Sequence, residues 1–217
     1  MLSAYTTIAG GNVEELFDQM TTRPELQALF IFITEAIAIY LLWLFMKARR
    51  ISWKDLGMGR KLILKDLKLA GLGYVIYFGS FLIISMIAAA FVDTDQEQQL
   101  GFDNVVTIEH LILVFISLVI LPPIVEEILF RGFLYSGLRT KLTKWVSAIV
   151  VSVLFGIAHL QLGSDAPPLW IAMIDTFILS MILVWLREKT GAIWAGMLVH
   201  GFKNFLAYIL LFVVKLD

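Results

Sequence analysis

The stretch Pro122–Arg139, PPIVEEILFRGFLYSGLR, decides how the chain is read. It is an apolar run broken by two adjacent carboxylates, Glu126 and Glu127, with Arg131 close behind. Ionisable side chains at membrane depth are costly, so they face the interior of a helix bundle and carry function. The question is what the remaining sequence brings to these two glutamates.

The surroundings of the stretch are those of a membrane protein. The 217 residues are 59% hydrophobic, with a mean hydropathy of +0.86, against roughly 45–50% apolar in soluble domains. A formal net charge of -1 gives no electrostatic case for a nucleic-acid partner. Cysteine is absent, which excludes thiolate chemistry, disulfides and cysteine-based zinc sites and leaves the redox compartment open. Met1–Glu25 lacks the basic start of a signal peptide and carries Glu14, Glu15 and Asp18, so a short amphipathic helix is expected there. With no internal repeat and no low-complexity linker, the expectation is one integral-membrane domain over 1–217, with a motif-bearing core at about 105–214.

Six apolar runs are long enough to be read as spans: Ala28–Met46, Leu69–Val92, Leu111–Leu138, Trp145–Leu162, Leu169–Leu186 and Ala192–Val214. Between the first two, Ile51–Asp66 sets Trp53, Leu56, Leu62 and Leu64 against Lys54, Arg60, Lys61 and Lys65, the pattern of a segment lying in the membrane interface. The fold class expected is all-α: a polytopic membrane helix bundle with about six transmembrane helices plus interfacial amphipathic helices. Lys and Arg cluster after runs one, three and five, whereas acidic residues dominate before run one and after run two. The positive-inside rule then makes the basic loops cytoplasmic and puts both termini outside. Trp43, Trp145, Trp185 and Trp194 fall near the basic boundary, as an aromatic belt requires. Leu111–Leu138 would be roughly 42 Å long as one helix, more than the ~30 Å hydrocarbon core, so a tilt or a kink at Pro122–Pro123 is expected.

Depth along each run singles out a few polar residues. Counting from the basic end at 1.5 Å per residue, Glu126 lies roughly 20 Å in from Arg139 and His159 roughly 21 Å in from Trp145. His200 and Asn204 lie roughly 14 and 20 Å in from Gly191. Three runs thus carry their polar groups within about one and a half turns of one level. Helix faces sharpen this reading. Glu127 and Arg131 are four apart and pair within the helix, while Glu126 points about 100° away and is the reactive carboxylate. His200 and Asn204 share a face, and so do Phe155 and His159, which lets Phe155 fix the imidazole.

Each of these residues also has a plain structural reading. Glu126, Glu127 and Arg131 could be an ion cluster, His159 a satisfied core histidine, and His200 and Asn204 interhelical hydrogen bonds. His110, beside Glu109, reads as interfacial. Glu35 and Asp175 either line the cavity or pair, with Lys203 as a partner. Taken together, a carboxylate, two imidazoles and an amide suit hydrolysis of an acyl bond: the carboxylate and one histidine deprotonate water, and the others donate to the oxyanion. The same groups suit a metal site with two His and one Glu around an activated water, and the residues alone do not separate the two.

EEILFR (Glu126, Glu127, Arg131), FGIAH (Phe155, His159) and HGFKN (His200, Asn204) match EExxxR, FxxxH and HxxxN in order and spacing. The chain thereby resembles the CPBP family, the CAAX proteases and bacteriocin-processing enzymes also called Abi, over roughly its C-terminal half. The resemblance implies an intramembrane endopeptidase acting on membrane-associated peptides or proteins. Glu126 and His159 would activate water, His200 and Asn204 would form the oxyanion site, and Glu127, Arg131 and Phe155 would support them. The family has been classed both as zinc-dependent and as glutamate-type. Here the metal-free form is favoured, because a zinc site would have only His159, His200 and Glu126, and Asn204 suits an oxyanion donor better than a ligand. With six spans, fewer than the eukaryotic members carry, the chain looks like a prokaryotic plasma-membrane member, and prenylated CAAX substrates are not implied. Oligomeric state is not readable. Two rivals stand beside this reading: a non-catalytic bacteriocin-immunity or membrane binding protein of the same fold, and a proton-coupled transporter, whose usual paired halves are missing.

Overall fold

A computed structural model describes residues 22–91, 102, 104–160 and 169–214. The expected N-terminal amphipathic helix, the acidic residues Asp93, Asp95 and Glu97, and the Gly163–Pro168 connection lie outside the described residues. The protein is an all-helical bundle, with no strand among the described residues. Helix α1 is Pro24–Arg49, α2 is Leu64–Ala88, α3 is Ile108–Arg139, α5 is Trp170–Thr190 and α6 is Trp194–Val213. All five are long and apolar enough to cross a bilayer, and a shorter apolar helix, α4 at Lys144–Ala158, stands between α3 and α5. The chain is an integral, multi-pass membrane protein.

Helix α3 accommodates its length through a change of winding. Its 32 residues alternate α-helical turns with π-helical ones at Phe115–Ile120 and Glu127–Leu134. Between the π turns, Pro122 and Pro123 fall within the continuous helix and supply no N–H to the preceding turn. The N–H of Leu121 reaches back five residues, to the carbonyl of Ile116. π turns recur at functional sites because they re-aim the side chains of a helix, and here they bracket Glu126.

Helix α4 has 15 residues, roughly 22 Å at the α-helical rise, short of the ~30 Å core. It therefore ends inside the bundle, and the residue at its end is His159. Its inner face, Ala148, Val151, Ser152, Phe155 and Gly156, is buried, while Trp145, Ile149 and Ile157 face outward. Gly156 lets the two backbones close up, since a Cβ there would stand 3.1 Å from the carbonyl of Met173 on α5. Helix α5 is the central post: Leu179, Leu183 and Leu186 are fully buried against Ala70 and Tyr77 of α2 and Ala195 and Val199 of α6. The exposed Leu, Ile, Val and Phe side chains of α1 and α2 make the lipid-facing surface.

The basic end of the bundle is sealed by the 51–63 segment, whose one helical turn is Lys54–Met58. Leu56 is buried and its carbonyl lies against Gly132 of α3, where a Cβ would come within 3.1 Å. Gly57 has φ +86, and an added Cβ would stand 2.7 Å from the guanidinium carbon of Arg187. Arg60 is bidentate on Asp66, at 2.6 and 2.7 Å, and donates to the carbonyl of Thr190 at 3.1 Å. The indole of Trp194 donates to the Arg60 carbonyl at 2.7 Å. Ser52 donates its N–H and Oγ–H to Asp55, which holds that carboxyl below the usual range. The basic segment is thus keyed by specific contacts into α3, α5 and α6.

Candidate active site

The two glutamates diverge as soon as they leave the backbone. Glu127 and Arg131 form an ion pair at 3.0 Å, and both side chains are 0% exposed. The Arg131 guanidinium lies 4.3 Å over the Phe155 ring and 5.9 Å from that of Phe130. Burying two charges requires close and complete company, and α6 supplies part of it by omission. At Gly196, a Cβ would fall 2.3 Å from Glu127 Oε2. Gly196 is four residues before His200 on the same face of α6, and that spacing was the one sequence signal for it.

Glu126, on the neighbouring face, stays 20% exposed and meets the two histidines. Its Oε2 is 3.8 Å from His159 Nε2 and 3.8 Å from His200 Nε2. His200 is nearly enclosed, and its Nδ1 faces Glu127 Oε1 at 3.8 Å. Each ring nitrogen of His200 therefore looks toward a different carboxylate. Phe155 packs against both imidazoles, with centroids 4.5 Å from His159, as its position one turn earlier led us to expect, and 5.8 Å from His200.

The end of α4 fixes the His159 tautomer. The last carbonyls of a helix lack intrahelical partners. The backbone N–H of His159 turns to Gly156 at 3.1 Å, leaving the carbonyl of Phe155 to the ring. Nδ1 stands 2.8 Å from that oxygen. A carbonyl only accepts, so Nδ1 carries the proton and a neutral ring presents a bare Nε2 to Glu126.

Asn204 is placed differently. Its Nδ2 donates to the carbonyl of Leu118 at 2.8 Å. In a helix that carbonyl would accept from residue 122 or 123, and both are prolines without an N–H. Asn204 fills the gap that the proline pair opens, and its second amide N–H remains for another acceptor. Asp175 pairs with Lys203 at 2.8 Å, the pairing that the sequence had offered. Glu35 is half-buried on α1. His110 sits at the start of α3 on Glu25, at 2.9 Å, away from the histidine pair.

Zinc requires donors about 2.0–2.1 Å from the ion, which puts tetrahedral ligand atoms about 3.3 Å from one another. The 3.8 Å separations of Glu126 from the imidazoles are wider. Among the described residues, no group of three or more His, Asp or Glu side chains is arranged to hold a metal ion. A water at hydrogen-bond distance, about 2.7 Å, from both Glu126 Oε2 and His159 Nε2 closes a triangle with a 3.8 Å base at an angle near 90°.

Comparison with known proteins bears on this arrangement. A protein of Escherichia coli described as an uncharacterized 24.3 kDa protein is 29% identical over 96 residues, 43% of this chain. The match spans less than half of that relative, 42% of its length. No solved structure matches. The family model for type II CAAX prenyl endopeptidases, Rce1-like, matches residues 108–206, a stretch that starts with α3 and takes in Glu126, His159, His200 and Asn204. Over those residues the chain is similar to the Rce1-like family of CAAX endopeptidases.

Proposed function

We propose that the chain is an intramembrane endopeptidase of glutamate type that hydrolyses peptide bonds of membrane-associated peptides or proteins, in the plasma membrane of a prokaryote. One observation carries the proposal: Glu126 from α3, His159 from the end of α4 and His200 from α6 meet with Glu126 Oε2 3.8 Å from each imidazole, within a segment that matches a protease family.

In the reaction, a water held between Glu126 Oε2 and the bare Nε2 of His159 loses its proton to this pair as its oxygen attacks the scissile carbonyl carbon. The oxyanion formed receives a hydrogen bond from the second amide N–H of Asn204, and the His200 ring, whose Nδ1 faces Glu127 Oε1, adds Nε2–H as a donor in its doubly protonated form. The abstracted proton then passes to the amide nitrogen as the C–N bond breaks, releasing an amine and a carboxylic acid. Glu127 and Arg131 take no proton; they hold the helix turn that aims Glu126. Phe155 walls both rings and keeps water away from their flanks.

The test is cleavage of a fluorogenic peptide library by the purified protein in nanodiscs. The expected result is turnover that Glu126→Gln and His159→Ala each lower by about 10²–10⁴-fold, the usual range for a general base. Equal turnover in all three proteins refutes the proposal. Full activity after exhaustive chelation is expected as well, and activity restored only by added zinc would overturn the glutamate-type assignment.

A further inference from the structure

Beside the histidines lies a second polar constellation that the reaction as written does not use. Three helices contribute to it: the Tyr77 hydroxyl from α2 donates to Asp175 Oδ1 on α5, and Asp175 Oδ2 pairs with Lys203 Nζ on α6 at 2.8 Å. Tyr77 is buried, 3% exposed, so the chain of contacts is anchored at its inner end. The other end is open. Lys203 is 22% and Asp175 15% exposed, much like Glu126 at 20% and His159 at 27%.

Unlike the Glu127–Arg131 pair within α3, which is shut off completely, this pair between α5 and α6 is partly open. Lys203 stands on the face of α6 that carries His200 and Asn204, three residues after the first and adjacent to the second. An ammonium has three donors, and the contact with Asp175 engages one. Because Asp175 is itself held by Tyr77, the cation is fixed in position before any ligand arrives, and the pair is electrically neutral until it does.

We infer that Lys203, positioned by Asp175 and Tyr77, is a substrate-binding residue that receives a carboxylate of the peptide within a few residues of the scissile bond. The inference rests on the endopeptidase reading of the neighbouring site. Its reach follows from the helix. Lys203 lies about 4.5 Å along α6 from His200 at the α-helical rise, and an extended peptide advances about 3.3 Å per residue. A carboxylate one or two residues from the reacting carbonyl, on a peptide running along α6, therefore meets the ammonium. Two sources offer this chemistry, the C-terminal carboxylate of a short leaving segment and an Asp or Glu side chain.

The experiment reads binding, not turnover, in the Glu126→Gln protein in nanodiscs, so it is independent of hydrolysis. Three forms of one peptide are titrated by fluorescence anisotropy: a free C-terminal acid, the C-terminal amide, and the amide with an internal Asp. The expected result is tighter binding of at least one carboxylated form than of the plain amide, by about tenfold or more. That ratio should collapse toward one in Lys203→Met and persist in Lys203→Arg. The double variant Asp175→Asn, Lys203→Met leaves no unpaired charge and guards against misfolding; it should bind all three peptides equally. An undiminished ratio in this folded double variant overturns the inference, as does the absence of any preference in the parent. Preference for the acid alone identifies a C-terminal carboxylate, and preference for the internal Asp alone identifies a side chain. Cleavage by the Glu126 enzyme is scored separately, so failure of the peptidase reading and failure of the carboxylate site give different results.

Discussion

Glu126 and Glu127 are neighbours in sequence and opposites in the structure. Glu127 is sealed: its carboxylate has Arg131 at 3.0 Å, a notch at Gly196 to fit into, and no solvent. Glu126, one residue earlier and about 100° around the helix, stays 20% exposed and has only two imidazoles at 3.8 Å. The pattern extends to the whole bundle. Toward the basic end, Val151, Ser152, Phe155, Leu183, Leu186 and Ala195 are fully buried and the Leu56–Gly57 turn closes the base. Beyond the histidines, Lys203 and Asn204 are only partly covered. A rigid floor with reactive groups on its upper surface is what preorganised catalysis requires, since groups held by packing need not reorganise during reaction. The comparison teaches that adjacent identical residues are given separate tasks by helix geometry alone.

The largest expected effect breaks the comparison on the open side. Glu126→Gln should lower kcat/KM by about 10³-fold while thermal unfolding in nanodiscs stays near that of the parent, since the side chain keeps its size and has no short polar contact to lose. A variant that both fails to cleave and fails to fold would show that Glu126 is as structural as its neighbour.

On the sealed side the order reverses. Arg131→Ala leaves the Glu127 carboxylate buried and alone, which typically costs 3–5 kcal/mol. The expected outcome is loss of folded protein, read as a fall in the unfolding temperature or in monodisperse yield. Replacing both members, Glu127→Leu with Arg131→Leu, removes the uncompensated charge and should recover much of the folded yield. Recovery of turnover in the double variant would then report how far the pair serves only to hold the turn under Glu126.

A smaller effect probes the notch itself. Gly196→Ala puts a methyl 2.3 Å from Glu127 Oε2, and one of them must move. Overpacking in a closed core costs about 1–3 kcal/mol. Because Gly196 and His200 share a face of α6, the displacement should also disturb the 3.8 Å contact between His200 and Glu126, lowering kcat more than it raises KM. Unchanged stability and turnover would mean that the carboxylate of Glu127 has room elsewhere.

Much of this was legible beforehand, for reasons that differ residue by residue. The bundle and its spans follow from apolar runs, which register the bilayer directly. The split between the glutamates follows from spacing, because Arg131 lies four residues from Glu127 and five from Glu126. Depth arithmetic put Glu126, His159 and His200 near one level because each helix rises uniformly from a charged boundary. What depends on contact between distant segments was not legible. Nothing local marks Leu56 as the stopper beneath Gly132, and the four-residue spacing of Gly196 to His200 does not say that Glu127 fills the space there. The π turns of α3 were hidden as well. An overlong helix with a proline pair predicts relief by tilt or kink, and the protein uses a change of winding on both sides of the prolines. Asn204 was recognised as an amide at the right depth, while its bond to Leu118 shows only once α3 and α6 are side by side.

Asn204 carries the last and smallest prediction, which separates a residue's structural share from its chemical one. Its amide has two N–H groups; one is committed to the Leu118 carbonyl and the other is assigned to the oxyanion. Asn204→Ala removes both. The structural loss should be modest, about 0.6–2 kcal/mol, the scale of single hydrogen bonds between membrane helices. Pro122→Ala restores a backbone N–H four residues after Leu118, within reach of the same carbonyl, and so replaces the structural bond without replacing the catalytic donor. The double variant, Asn204→Ala with Pro122→Ala, should therefore regain thermal stability and remain slow, by about 10²-fold if the second N–H supports the oxyanion. Were turnover to return together with stability, Asn204 would be a brace for the proline gap alone, and the oxyanion would rest on His200, on the sealed side of α6.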